Sequence, residues 1–192
     1  MVSYETIREW SLRFGQTYAN SHKRRRPQPG DEWFLDEVLI RIRSNLHCLW
    51  RAVDQHGNVL DVLVQNRRSK KTAKHFLSKL LYGLCYVPRV IVSDKLGFYG
   101  AAKCEILPSV EHWQSRYLNN CCEVSHQPIR RRERQMKRFK SVRHAQRFSA
   151  THSLIHNHFQ LRRHRLSANE YRDVRDRAFV AWLDATGAAL LG

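Results

Sequence analysis

The chain has 192 residues, the length of one domain with appendages, and its 34 Lys and Arg against 17 Asp and Glu leave a net charge of +17. Its 42% hydrophobic residues are enough for a core, which excludes a wholly disordered basic tail. No apolar run approaches the ~18 residues of a membrane span, Met1-Val2-Ser3-Tyr4-Glu5 has no secretory pattern, and the five cysteines form no Cys-x-x-Cys pair, so neither a disulfide framework nor a structural zinc is expected.

Tyr4–Phe14 reads as a short helix with Ile7, Trp10 and Phe14 on one side and Ser3 as its cap. Residues 21–30, with Lys23-Arg24-Arg25-Arg26, Pro27, Pro29 and Gly30, read as a basic linker. Three strands are predicted next, Trp33–Arg43, His47–Val53 and Val59–Val64, the last two joined through the turn Gln55-His56-Gly57-Asn58. Ser69–Leu84 has helical spacing, with Ser69 as cap. Val90-Ile91-Val92 is a short buried strand ending at Ser93-Asp94, Gly97–Ile106 a helix and Val110–Trp113 a last strand. From Asn119 a single helix is predicted to about Phe139, kinked near Pro128, which lacks an amide donor and crowds the carbonyl of Val124. Two further helices follow. Val142, Ala145, Phe148, His152, Ile155 and Phe159 share a face of the first. The second opens on the capping box Ser167-x-x-Glu170, buries Tyr171, Val174, Ala178 and Trp182, and stops at Gly187. This order predicts an α/β, ribonuclease H-like fold, a mixed five-stranded sheet flanked by helices, with extra C-terminal helices.

The charge is concentrated. From Arg130 to Arg147 nine Lys or Arg residues (Arg130, Arg131, Arg132, Arg134, Lys137, Arg138, Lys140, Arg143, Arg147) face one acid, Glu133. Such a surface gains affinity for nucleic acid by releasing counterions from phosphates. It lacks the continuous apolar face of a membrane-surface helix, so no membrane partner is expected.

Against this basic background a few acids are out of place. Alternation puts Asp36 on one face with Phe34, Val38, Ile40 and Ile42, where an unpaired carboxylate is costly. Asp94 falls at the C-terminal tip of the fourth strand, where open α/β sheets place ligand chemistry. Glu123 is the only acid between Asn119 and Arg132 and shares a helical stripe with His126, Arg130, Arg134 and Lys137, while Cys122, Ser125, Ile129 and Met136 would pack on the sheet. Three converging carboxylates repel, and two hard divalent cations, Mg²⁺ or Mn²⁺, remove the repulsion and clamp both oxygens of a phosphodiester displacement. Asp54 at a turn, Asp61 beside Val59 and Leu63, and Glu111 in the last strand are rivals. His152 and His156 have metal-ligand spacing on a helix but no partner acid or cysteine near in sequence, and read as packing or surface residues.

Several stretches together resemble bacterial insertion-sequence transposases of the DDE class, family six, which move replicatively through cointegrates. They are Trp33-Phe34-Leu35-Asp36-Glu37-Val38, Leu49-Trp50-Arg51-Ala52-Val53-Asp54, Val92-Ser93-Asp94-Lys95, Tyr117-Leu118-Asn119-Asn120, Glu123-Val124-Ser125-His126, Arg130-Arg131-Arg132 and Met136-Lys137-Arg138-Phe139-Lys140-Ser141. The resemblance runs from about residue 2 to 160. It implies Asp36, Asp94 and Glu123 as catalytic, metal-binding triad with two Mg²⁺ or Mn²⁺ per site, and Arg130 as the basic residue that holds DNA on the same helix face. It implies metal-dependent DNA cleavage and strand transfer, with element ends and target DNA as partners, a homo-oligomer, and a bacterial cytoplasmic, nucleoid-associated location. Arg131, Arg132, Arg134, Lys137, Arg138 and Lys140 are the further DNA-binding candidates. The expected division is 1–20, remnant of a helix-turn-helix; 21–30, basic linker; 31–140, catalytic domain; and 141–192, C-terminal helical extension. Two departures stand out. Only 28 residues separate Asp94 from Glu123, fewer than such transposases usually carry, and the start resembles a recognition helix alone, as in an N-terminally truncated copy. The alternatives are an inactive remnant that only binds DNA and a ribonuclease H-like nuclease.

Overall fold

The computed structural model describes residues 28–94, 96–115, 117–135, 138–160 and 166–186, with Ser3, Glu5, Thr6, Glu9, Arg13, Thr17 and Asn20 before them. Most of the expected first helix and linker, as well as Lys95, Met136, Lys137 and Gly187, lie outside the described residues. Ser3 Oγ accepts the Thr6 amide at 3.1 Å, as a cap should.

Three antiparallel strands come first: β1 (Glu32–Ile42), β2 (Asn45–Asp54) and β3 (Val59–Gln65). Asp54 shapes the second turn, its carboxylate accepting the amides of His56 and Asn58 at 2.9 Å each, while Gly57 takes the left-handed conformation that suits glycine (φ 79°). Helix α1 (Lys70–Leu84) follows, with Ser69 Oγ accepting the Thr72 amide at 3.2 Å. Strand β4 (Val90–Ser93) returns parallel to β1, and helix α2 (Gly97–Ile106) leads to β5 (Glu111–Gln114), parallel to β4. The sheet order is β3-β2-β1-β4-β5.

Alternation along β1 and β2 divides the core. Trp33, Leu35, Trp50 and Ala52 face α1 and α2, where Trp50 meets the rings of Phe76, Phe98 and Tyr99 at 5.4–6.2 Å. Each fully buried side chain such as Leu77 or Phe76 contributes roughly 1.5–3 kcal/mol. Val38, Ile40, Leu49 and Val53 face the other way.

The single helix expected from Asn119 is two. Helix α3 (Asn120–Ser125) stops at His126 and α4 (Gln127–Gln135) begins there, placing Pro128 in a first turn, where its missing amide costs nothing. The break therefore precedes the proline. Cys122, Ser125 and Ile129 are buried as expected. Arg138 has φ 72°, and Phe139 then bridges back to Ile42.

Helix α5 (Val142–Phe159) covers the second face, with Ala145 and Phe148 in its core. It also lies along the outer edge of β3. Asn157 Oδ1 and Nδ2 bond the amide and carbonyl of Val59 at 2.8 Å each, and Gln146 bonds the amide of Val64 at 2.7 Å and the carbonyl of Val62 at 3.0 Å. Helix α6 (Ala168–Thr186) opens on the expected capping box: the Ser167 amide donates to Glu170 Oε2 at 2.8 Å, and the Glu170 amide to Ser167 Oγ at 3.3 Å. It rests on the end of α5 through Phe179 and Trp182 against Phe159. Of the four residues expected to be buried on it, Ala178 is buried, and Tyr171, Val174 and Trp182 are half-buried. Among the described residues no helix is long and apolar enough to cross a membrane.

Candidate active site

Parallel pairing sets Leu35 opposite Ser93. The next residue on each chain is an aspartate, so Asp36 and Asp94 stand at one level, where β4 ends. The Asp36 side chain is 16% exposed. Burial pushes the Asp94 carboxyl above its usual range; the Leu96 amide, 3.2 Å away, opposes this, the Asp36 charge adds to it, and Arg68 pulls it down. The two aspartates therefore feel each other's charge, as adjacent strands required.

A third carboxyl at this level is Glu37. It faces the α1 and α2 side, is 5% exposed, accepts the Tyr99 hydroxyl at 2.7 Å and pairs with Arg68 Nε at 3.2 Å. Burial pushes its carboxyl up to about 7 against the pull of Tyr99 and Arg68, with the charges of Asp94 and Asp36 pushing the same way as burial. Alternation alone placed Glu37 beside Trp33 and Leu35 and gave no sign of these partners, which come from a loop and a helix remote in sequence.

Glu123 lies in α3, and its side chain is outside the described structure. The helix itself is firmly seated on β1 and β2. Asn119 Nδ2 donates to the carbonyl of Leu35 at 2.9 Å, and Cys122, fully buried, donates to the carbonyl of Arg51 at 3.6 Å. At the end of α3, His126 is 2% exposed with Nε2 3.3 Å from Asp36 Oδ2. Burial holds its pKa below the usual value; Asp36 opposes, and Arg51 and Arg130 add to the lowering. The expected stripe from Glu123 through His126 to Arg134 is interrupted here by the helix break.

A groove of about 550 Å³ opens over this level, lined by Asp36, Glu37, Arg68, His126 and Arg130 among others. Arg130 is thus brought to the acids. Arg131 and Arg132 line a second cavity, Arg134, Arg138 and Lys140 are exposed, and Lys137 lies outside the described residues. The rivals are occupied elsewhere: Asp54 in its turn, Asp61 with Lys79 Nζ at 2.8 Å, and Glu111 accepting Trp113 Nε1 at 2.7 Å on the surface. His152 and His156 stack at 6.1 Å. Among the described residues no three His, Cys, Asp or Glu side chains form a complete metal-holding group. Asp36 and Asp94 supply hard oxygen donors whose crowding a divalent cation would relieve, so the residues present fit Mg²⁺ or Mn²⁺.

Residues 30–162 match the DDE domain family of IS240-type transposases. The transposases of the insertion sequence-like element IS431mec and of the element IS257 in transposon Tn4003, both from Staphylococcus aureus, are each 24% identical over 139 residues, covering 69% of this chain and 61% of theirs. The chain thus spans about three fifths of the length of these curated relatives. A chain of the simian T-cell lymphotropic virus intasome, solved in complex with the PP2A regulatory subunit B56 gamma, superposes with a TM-score of 0.50 at 13% identity, over 71% of this chain and 51% of that one. That likeness concerns the fold, which is ribonuclease H-like.

Proposed function

Because the chain belongs to the DDE domain family of insertion-sequence transposases, we propose that it cuts DNA at the ends of such an element and joins the freed 3′-hydroxyl to a target phosphodiester. Asp36, Asp94 and Glu123 would hold Mg²⁺ or Mn²⁺, two per site. The observation that carries the reading is the level pairing of Asp36 with Asp94 at the end of β4, with Asp36 in a groove that Arg130 also lines. When bound, the metal pair supplies the electrostatic stabilisation of the attacking and leaving oxygens.

The chain's own residues bind and orient. Arg130 neutralises a backbone phosphate close to the acids, and Arg131, Arg132, Arg134, Lys137, Arg138 and Lys140 extend the contact along the strand. His126, buried and held toward its neutral form, stands with Nε2 3.3 Å from the Asp36 carboxylate and adds no charge to the groove. Arg68 balances part of the negative charge of Glu37 and Asp94. Assembly of two or more copies is proposed as the means of bringing two element ends together. Replicative movement of the family-six kind and residence on the nucleoid belong to the same proposal.

The test is strand transfer on an element-end substrate with Mg²⁺ or Mn²⁺. Asp36→Asn and Asp94→Asn should each lower the rate by roughly 1000-fold, the loss of several kcal/mol of charge stabilisation. Wild-type rates in either variant would overturn the assignment. Cleavage without joining would point to a nuclease, and steeply salt-dependent binding without cleavage to a DNA-binding remnant.

A further inference from the structure

The Glu37 side chain is 2% exposed, on the α1 and α2 side of the sheet. A buried ion pair adds little stability over apolar residues of similar volume, so the placement of this acid points to what it holds. Two groups meet it: the Tyr99 hydroxyl from α2 at 2.7 Å, and Arg68 Nε, from the loop between β3 and α1, at 3.2 Å. The Cys48 thiol is a further hydrogen-bond partner of the same guanidinium. Although tied at Nε, the Arg68 side chain stays 39% exposed. A guanidinium carries five donors in a fixed fork, so one carboxylate oxygen and one thiol leave donors for a ligand.

Those donors are at the acids. The pairing of β1 with β4 stops at Leu35, opposite Ser93. The next four β1 residues, Asp36 to Leu39, all line the groove of about 550 Å³, and alternation makes them members of both sheet faces. The groove therefore runs over the freed edge of β1 and joins the two faces. Arg68 lines it from the α1 side, and Arg130 lines it from α4, whose Ile129 belongs to the second core. The charge of Arg68 is felt at Glu37 and Asp94, and that of Arg130 at His126, the neighbour of Asp36. A guanidinium thus reaches the aspartate pair from each face of the sheet.

We propose that Arg68 grips a backbone phosphate of the reacting DNA strand, and that Glu37 is the positioning residue that aims it. The inference rests on the DNA-joining reading above, in which Arg130 takes a phosphate on the α4 side. Arg68 takes the phosphate on the other side of the reacting one. The strand then crosses the freed edge of β1 from one sheet face to the other, held at both ends over the aspartates. The planar fork suits the task, with Nε on Glu37 and the remaining donors on non-bridging oxygens. Glu37, itself tied to Tyr99, keeps the long side chain from swinging, so less rotamer freedom is lost when DNA binds.

The experiment uses the full chain and two readouts. In the first, binding to an element-end duplex is titrated against salt in the absence of metal, so that no catalysis is required. Arg68→Met should weaken binding about tenfold, the size of one lost charge-assisted bond to a phosphate, with a salt slope smaller by about one. Because Arg68→Met leaves Glu37 without its cation, Glu37→Gln combined with Arg68→Met, compared with Glu37→Gln alone, carries the same test without a buried orphan charge. In the second, strand transfer is measured on substrates with a single methylphosphonate, an uncharged phosphate, at each position flanking the cut. The wild type should lose rate at one position on each side, and Arg68→Met should become insensitive at one of the two and stay sensitive at the other. Glu37→Gln should lower kcat about tenfold with the salt slope unchanged, since the arginine remains but is no longer aimed. An unchanged salt slope in both Arg68 backgrounds would overturn the proposal, and so would a wild-type methylphosphonate profile in Arg68→Met; Arg68 would then only balance Glu37. In either case loss of strand transfer in Asp36→Asn would leave the DNA-joining reading standing. Wild-type strand transfer in Asp36→Asn would overturn that reading and this proposal with it.

Discussion

His152 shows how one side chain couples this fold to pH. It is half-buried beside Phe148, its ring 5.6 Å away, and this burial, with the charges of His156, Arg51 and Arg132, lowers its pKa to about 4. In the unfolded chain the value is about 6.5. The unfolded state therefore takes up a proton first as pH falls. The stabilisation is complete above about 6.5 and is lost as pH drops toward about 4. In His152→Phe the ring stack remains and the titration goes. The variant should lose less stability than the wild type between pH 7 and 4.5, by on the order of 1–2 kcal/mol after allowing for partial exposure. Parallel urea titrations at the two pH values measure this, and equal pH slopes would refute it. The sequence did not disclose such a residue. Helical spacing put His152 on the face of Phe148 and Ala145, but the guanidinium behind it belongs to β2, a hundred residues earlier. Arg51 and Glu37 were illegible for the same reason: alternation says which face a residue takes, not which remote side chain meets it there. Asp36 and Asp94 were legible because two adjacent parallel strands fix their level by backbone pairing alone.

At the scale of the element, α3 is six residues long, too short to hold its place by helical propensity. Its position depends on attachments. Asn119, 5% exposed, ties the start of the helix to the carbonyl of Leu35, the residue before Asp36, and buried Cys122 seats the next turn on Arg51. Asn119→Ala removes the strut, a buried hydrogen bond worth about 0.5–1.5 kcal/mol. Strand transfer measured well below the melting temperature should fall by more than the folded fraction does, and its Mg²⁺ requirement should rise, because the strut spans β1 and the helix that carries Glu123. A loss of activity matching the unfolded fraction, with unchanged Mg²⁺ dependence, would make Asn119 merely structural. Elements with a clear period (α1, α5 and the first three strands) were foreseen almost to the residue. The division of α3 from α4 was not. Periodicity continues across His126, and the proline that seemed to demand a kink sits in the following first turn, where it is tolerated.

For the molecule as a whole, the two cores share one sheet but differ in cover. One is closed by α1 and α2, within the first 107 residues, and the other needs α5. The residues after 140, expected as an appended extension, thus include a helix on which Val59, Val62 and Phe139 depend for shelter. We predict that a chain ending at residue 160 melts cooperatively and that one ending at 140 does not, as followed by circular dichroism. Similar sharp transitions for both would show that the second face closes without α5. The mixed five-stranded sheet was legible because the succession of strand and helix periods along the chain matches few architectures. The second cover was not, since an amphipathic helix does not announce which surface it will meet.

The amides of Gln146 and Asn157 occupy, bond for bond, places a sixth strand would fill. They give the rim of β3 a mock neighbour made of side chains, and so deny it to other molecules. Bare rims of this kind template intermolecular ladders. Gln146→Leu with Asn157→Leu should therefore keep a folded monomer when dilute and form larger, thioflavin-positive species as concentration rises, as light scattering would register. For a chain with a net charge of +17, whose like charges keep copies apart only while salt is low, that disguise is what separates a soluble monomer from precipitation.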